Sequence, residues 1–389
     1  MKRKSCQTNL LEALEDWTKL LDDGNAVDVA YLDYQKAFDT VPHRRLERKL
    51  GAYGIQGQVL KWVCDFLRGR SQQVAIGNSL SSIAKVSSGV PQGSVLGPML
   101  FIIYVNELPS LVNSTMKMFA DDSKLYRSIN DNRDVMAFQE DLDTLDNWSR
   151  EWLLKFNVAK CKIMHCGSSN ARGLYDMRQA NDEIVLEETT LERDLGVNVS
   201  NTLKATKHCQ VAANKAMSSL RLLRMAFSNL NQSNFKVLYT TYVRPHLDYC
   251  LSAVGPFMVQ DFRALDKVQR RATKLVREIR HLPYEERLKR LQIPSMEDRV
   301  KRGDLIETYK ILSGKVDVDP DQFFEKNNDN RTRGHHFKLK KRRSTNQQRA
   351  KFFANRVVTP WNDLPEEVVS ATSTNSFKNK LDKHLSATI

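Results

Sequence analysis

Three carboxylates have the spacing of a catalytic cluster. In "MKMFADDSKLY", residues 116–126, Asp121 and Asp122 are adjacent between apolar segments. Met116, Met118 and Ala120 alternate with Lys117 and Phe119 before the pair, and Leu125 and Tyr126 follow it. That period predicts a strand running into a strand-to-strand turn, with the acidic pair at or near the turn. By itself an Asp-Asp pair is most often a solvated turn. A third carboxylate, Asp33, ends another alternating stretch, "VDVAYLDY". If these two strands are neighbours in a sheet, the three carboxylates meet. Two-metal nucleotidyl transfer uses such a set: hard oxygen donors hold two Mg²⁺ ions, one activating a 3′-hydroxyl and the other holding a triphosphate. The metal charge then offsets the repulsion within the adjacent pair.

The elements that must position these groups follow from periodicity. "TNLLEALEDWTKLLDDGNAV" has Leu10, Leu11, Leu14, Trp17, Leu20 and Leu21 at helical spacing and stops at Asp23-Gly24. Pro42 opens a helix through Leu46 and Leu50, and "QVLKWVCDFLRGR" is a second amphipathic helix closed by Gly69. "QQVAIGNSLSSIAKV" reads as a hairpin around Gly77 and Asn78. "MLFIIYVNEL", apolar on most sides, is expected to be a buried helix. A helix near residues 134–153 and a strand in "NVAKCKIMHCG" complete an α+β pattern, an antiparallel sheet with helices on one face. Beyond residue 200 the chain turns helical and basic, residues 314–335 read as a polar linker, and "KLKKRRSTNQQRAK" is a compact basic run.

Sixty Lys+Arg against 46 Asp+Glu give a net charge of +14. The balance points to a polyanionic partner, nucleic acid or an anionic membrane surface. The longest apolar run, "LGPMLFIIYV", is half of the roughly 20 residues a bilayer crossing needs, and "MKRK" leads into polar residues. An intracellular protein of cytoplasm or nucleus is expected, neither secreted nor membrane-bound. The six cysteines are scattered, so reduced thiols are the default. Cys161, His165 and Cys166, with His208 and Cys209, match no zinc spacing. Arg270, Arg271 and Lys274 on a basic helix, and Lys340, Lys341, Arg342 and Arg343 with Arg333 and Lys338 in the tail, are candidate nucleic-acid contacts; the tail run also reads as a nuclear address.

"YLDYQKAFDTVPH", "SGVPQGSVLGPMLF", "FADD" and "NVAKC", in this order, resemble the successive palm motifs of reverse transcriptases from non-LTR (LINE-type, jockey-like) retrotransposons. The resemblance continues through "DLGVNVS", "YVRPHLDYC", "LDKVQRRATK" and "VVTPWNDLP". It implies a remnant of a fingers helix over 1–30 and a palm over 31–185. A primer-grip region with a helical thumb follows over 186–313, then a basic C-terminal extension over 314–389.

It further implies that Asp33 and Asp121 bind two Mg²⁺ ions, with Mn²⁺ a possible substitute, and that Asp122 completes the triad. Phe38 matches the steric gate against a 2′-hydroxyl, its plain alternative being a core phenylalanine. Gln92 and Gly93 match the loop along the incoming nucleotide, where glycine permits close backbone approach; a simple Pro-Gly turn is the alternative. Lys160 matches a lysine near the pyrophosphate, a general acid for the leaving group. The implied partners are an RNA template, a DNA primer and dNTPs, with the oligomeric state open. The family pattern also sets an endonuclease and most of a fingers region ahead of "KSCQTNLLE", and a zinc knuckle at the end. This chain shows none of them, so target nicking is not expected and polymerase activity is expected to be weak. The readings are an RNA-directed DNA polymerase core, a catalytically impaired retroelement relic that binds RNA only, and a group II intron maturase, against which the loop context argues.

Overall fold

A computed structural model describes residues 3–179, 182–327 and 335–387; the expectation for Arg333 lies outside them. The chain divides into two compact units, Asn25–Thr190 and Met1–Gly24 with Leu191–Ile389. The first helix, α1 (Cys6–Asp22), therefore belongs with the C-terminal part of the chain. Its start is fixed by a capping box: the Ser5 side chain accepts from the Thr8 N–H, and the Thr8 hydroxyl accepts from the Ser5 N–H.

In the unit Asn25–Thr190, β1 (Ala26–Leu32) is buried along nearly its whole length, with both of its faces covered. A short helical turn follows at Ala37–Thr40, then α2 (His43–Ala52) and α3 (Gly57–Leu67). An exposed arm pairs β2 (Ser71–Gln72) with β5 (Ala84–Lys85) and β3 (Ala75–Ile76) with β4 (Ser79–Leu80), turning at Gly77-Asn78. Next come α4 (Leu96–Val105), the hairpin β6 (Thr115–Phe119) and β7 (Asp122–Ile129), and α5 (Asn132–Trp152). The strands β8 (Lys162–Cys166), β9 (Asp176–Gln179), β10 (Asp182–Val185) and β11 (Glu187–Glu188) close the unit.

The main sheet has the order β11-β8-β1-β7-β6, antiparallel except where β11 runs parallel to β8. Helix α5 packs against β7 and β9. Phe101 and Tyr104 of α4 and Phe138, Leu142 and Leu145 of α5 fill the core with Leu125 of β7. Helix α4 departs from expectation: Leu100, Phe101, Tyr104 and Val105 are buried, but Met99 is 55 % exposed, and Val95, just ahead of the helix, is 84 % exposed. An apolar run without polar residues carries no mark of which side faces solvent.

Asp28 lies inside the sheet with no exposed surface. Its Oδ1 accepts from the Asn170 amide (2.7 Å) and shares a hydrogen bond with His165 Nδ1 (2.6 Å), and Oδ2 accepts from the Tyr175 hydroxyl (2.6 Å). Three partners make a buried carboxylate tenable. His165 is thus engaged with Asp28.

In the other unit, β12 (Leu191–Asp194) and β13 (Val197–Ser200) form a hairpin turning at Leu195-Gly196. The helices α6 (Thr206–Ala226) and α7 (Val259–Thr273) pack together, small residues Ala212 and Ala216 of α6 allowing close approach. Then come α8 (Tyr284–Leu291), α9 (Met296–Leu312) and, near the end, α10 (Thr374–Ala387). Where residues 314–327 were expected to be a linker, Pro320–Phe323 is helical and buries Phe323, Phe324 is buried beside it, and Glu325–Lys326 pairs with Leu339–Lys340. Two adjacent aromatics outweigh the polar composition around them. No helix among the described residues is long and apolar enough to cross a membrane.

Candidate active site

The register brings the three carboxylates to one end of adjacent strands. Leu32 pairs with Ser123 across β1 and β7, and Phe119 pairs with Asp122 across β6 and β7. Asp33 follows β1, Asp121 sits in the two-residue turn, and Asp122 opens β7. Ala120 in that turn has φ +55°, a left-handed conformation that costs an L-residue about 1–2 kcal/mol. Asp121 and Asp122 are exposed, and the Asp33 side chain is about half exposed.

The segment after α5 clamps Asp33. The Asn157 N–H donates to the Asp33 carbonyl (2.7 Å), the Asp33 N–H donates to Cys161 Sγ (3.4 Å), and the Gln35 N–H donates to the Lys155 carbonyl (2.8 Å). The ring of Tyr34 stacks on Phe156 at 4.7 Å. Burial pushes the Cys161 thiol up to about 11, and its sulfur accepts from the Asp33 backbone. Lys160 Nζ lies 3.7 Å from Asp33 Oδ2. Sequence reasoning assigned Lys160 from the same short segment but missed Cys161 beneath Asp33.

As hard oxygen donors facing solvent, these carboxylates fit a divalent ion in kind. They stop short of a ready cage: among the described residues, no three His, Cys, Asp or Glu side chains converge on one ion position.

On the side of the site formed by residues 38–43 and 88–97, Phe38 is half-buried and stacks on Phe101 of α4 at 4.8 Å. The Val90 N–H donates to the Phe38 carbonyl (2.7 Å), and the Gly89 N–H to the Val41 carbonyl (2.8 Å). The Gly89 carbonyl accepts from Arg70 Nη2 (2.8 Å) and lies 2.9 Å from His43 Nε2. Asp39 adds two ties: its carbonyl accepts from the Ser88 hydroxyl (2.9 Å), and its Oδ1 accepts from Gln92 Nε2 (3.0 Å). Gln92 is thereby oriented with Oε1 turned away from Asp39, because an ionised carboxylate accepts only.

Two glycines differ in what holds them. Gly93 has φ +82° with no atom within 4 Å of a built Cβ, so its need is conformational, and close packing of the surrounding protein is not the reason. At Gly89, φ +87°, a Cβ would meet the Asp39 carbonyl oxygen at 2.6 Å. Asp39, His43, Arg70 and Gly89 were not singled out from sequence. His43 and Arg70 act on the Gly89 carbonyl and Asp39 through its own carbonyl and its carboxylate, and only Gly89, within "SGVPQG", carried a signal.

The basic candidates separate. Arg270 is tied to Asp266 (2.6 Å) and lies 3.9 Å over the ring of Tyr284. Arg271 and Lys274 line an open groove with other cations. Lys340 pairs with Glu325 (2.7 Å), and Arg342 turns inward to Glu15 (3.7 Å) and the carbonyls of Asp321 and Gln322. Lys341 and Arg343 are exposed.

Residues 3–237 match the family model described as reverse transcriptase (RNA-dependent DNA polymerase). Over 294 residues the chain is 26 % identical to an RNA-directed DNA polymerase from the mobile element jockey of Drosophila funebris, covering 70 % of this chain and 31 % of that one. Over 281 residues it is 27 % identical to a probable RNA-directed DNA polymerase from transposon BS of Drosophila melanogaster, covering 68 % and 30 %. The chain thus spans about a third of the length of these relatives. Among solved structures it is similar to telomerase of Candida albicans (TM-score 0.42, 11 % identity, 76 % of this chain and 55 % of that one). It is also similar to telomerase of Candida tropicalis (TM-score 0.36, 9 % identity, 74 % and 51 %), and both were determined with a fragment of telomeric RNA.

Proposed function

The chain belongs to the reverse transcriptase family, and we propose that it is the core of a non-LTR retrotransposon RNA-directed DNA polymerase, extending a DNA primer with dNTPs on an RNA template. The observation that carries this reading is that Asp33, Asp121 and Asp122 lie at the same end of the β1–β7 pair. In the reaction the primer 3′-oxygen bonds to the α-phosphorus, the bond to the β-phosphate breaks, and pyrophosphate leaves. Two divalent ions, Mg²⁺ with Mn²⁺ as a substitute, would be held by Asp33 and Asp121 with Asp122 beside them, supplying Lewis-acid activation and charge neutralisation.

The chain's own residues do the rest. Phe38, stacked on Phe101, would stand where a 2′-hydroxyl needs space. Gln92, held by Asp39, offers Oε1 as an acceptor to a donor on the nucleotide. Lys160 brings an ammonium group beside Asp33 as acid for the departing pyrophosphate. A second reading, RNA binding without synthesis, draws on the lack of a ready carboxylate cage among the described residues.

The test is primer extension on an RNA template beside an Asp121→Asn, Asp122→Asn variant, with RNA binding measured for both. Extension by the wild type alone, with equal binding, supports polymerase function; equal extension by both refutes the assignment. Binding without extension in either favours the second reading.

A further inference from the structure

We propose that the helical unit holds a single-stranded RNA segment in a groove between the C-terminal parts of α6 and α7. This rests on the reading that the chain handles RNA. The groove encloses about 670 Å³ and is lined by Arg221, Arg224, Arg271, Lys274, Arg277 and Arg280, with no carboxylate among its lining residues. All six cations are exposed. None of the six has an ion-pair partner among the described residues; Arg271 touches the sulfur of Met217 at 3.8 Å. The neighbouring Arg270 shows the contrast, neutralised by Asp266 and seated on Tyr284.

Helix dipoles account for part of this cluster, since cations favour helix C-termini. They account for Arg224 and Arg271, in the last turns of α6 and α7. Arg277 and Arg280 lie past the end of α7, and Arg221 lies more than a turn before the end of α6. Six unneutralised like charges around one concavity repel one another and attract a polyanion.

The lining decides which polyanion. Between the cations the groove is apolar, with Leu220 and Leu230 buried and Phe227 43 % exposed. A duplex keeps its base faces stacked inside and offers phosphates and groove edges, so it has nothing to place on such a surface. An unpaired strand exposes base faces that stack on an aromatic ring while its phosphates run along arginines. The volume falls in the range of small-ligand sites, of about 300–1,000 Å³, and suits an unstacked nucleotide.

The experiment measures binding of the full chain to a short fluorescein-labelled oligouridylate across a salt series. Changing Arg221, Arg224, Arg277 and Arg280 together to glutamine should lower the slope of log affinity against log salt by up to about 3, at about 0.7 for each phosphate released. The same four positions changed to lysine should keep the slope, which separates lost charge from lost fold. Phe227→Ala should weaken binding about tenfold with the slope unchanged. A matching RNA duplex should compete at least about tenfold less well than the single strand. An unchanged slope in the glutamine variant, equal competition by duplex, or displacement by polyglutamate at equal charge would each overturn the proposal. The last outcome would assign the groove to an acidic protein. Failure of the wild type to extend a primer would count against polymerase function alone.

Discussion

Replacing Gly89 with alanine tests how the loop carrying Gln92 is held, and Gly93→Ala is its internal control. Both glycines have nearly the same backbone, φ +87° and +82°, so alanine pays a similar left-handed penalty of about 1–2 kcal/mol at each. Their surroundings differ. The Cβ at position 93 meets nothing, whereas at 89 it lies 2.6 Å from the Asp39 carbonyl oxygen and 2.7 Å from the Asp39 Cα and carbonyl carbon. These are backbone atoms, so no rotamer change relieves the overlap. The loop must move by most of an ångström, straining the hydrogen bonds from Gly89 to Val41 and from Val90 to Phe38, and those received from Arg70 and His43. Each such bond contributes about 1 kcal/mol net. Losing two or three of them brings Gly89→Ala to about 3–5 kcal/mol, against about 1–2 for Gly93→Ala. Urea denaturation of the two variants, read by hydrogen exchange at Val90, gives the difference. If the polymerase reading holds, an ångström of displacement beside the nucleotide should also cost Gly89→Ala about a hundredfold in extension rate. Equal stabilities would show that the contact with Asp39 is not what holds the loop.

Phe38→Val should raise the use of rNTPs relative to dNTPs while dNTP extension survives, because trimming the ring opens space where only the 2′-hydroxyl differs; an unchanged ratio would return Phe38 to plain packing against Phe101. Asp39→Ala should raise KM for dNTP about tenfold with kcat little changed, since it frees Gln92 without touching the carboxylates, and Asp39→Asn should stay near wild type because it keeps an acceptor. Steady-state kinetics on both variants would show otherwise if kcat falls with KM unchanged. His208 is buried, which lowers its pKa from 6.5 to about 4. The unfolded chain therefore binds a proton that the native state refuses, and stability falls as pH drops from 6.5 towards 4, by about 3 kcal/mol at about 1.4 per pH unit. Denaturation midpoints of His208→Gln between pH 7 and pH 4.5 should fall less than those of the wild type, and parallel curves would refute this.

Much of the sheet unit was legible because it follows period-two rules. The alternation around Met116–Ala120 marked β6, and the period-two reading of "VDVAYL" located β1 although that strand is buried on both faces, Asp28 included; the position of the carboxylates at the strand ends followed from these two strands. The clamp around the loop was not legible, because Arg70 and His43 act on the carbonyl of Gly89, and a bond to a backbone oxygen asks nothing of the residue type that carries it. The tail misled for a different reason. "KLKKRRSTNQQRAK" reads as a basic run in solvent, yet Arg342 turns to Glu15 and Arg349 is buried against Glu15 and Thr18. Their partner lies 334 residues from Arg349, beyond the reach of any local pattern. Likewise "DQFFEK" is polar by composition but folds around two buried rings.

The seating of α1 has a consequence for how the chain is made. Leu10, Leu11, Leu14 and Trp17 are buried in a unit whose remaining residues begin at Leu191. Glu15 waits for Arg349, and the carboxylate of Asp22 accepts from the backbone of Thr345 and Asn346. On a ribosome adding about 5–20 residues each second, the sheet unit emerges whole while the helix made before it waits roughly twenty seconds to a minute for its cover to be completed. Through that interval its leucines and tryptophan are open to chaperones, or to the same helix on a neighbouring nascent chain. A ribosome that stops before residue 345 withholds the partners of Glu15 and Asp22 and leaves the segment Leu251–Val254 as the main cover of this helix, so a late nonsense codon should yield a chain more prone to aggregate than one that reaches Arg349.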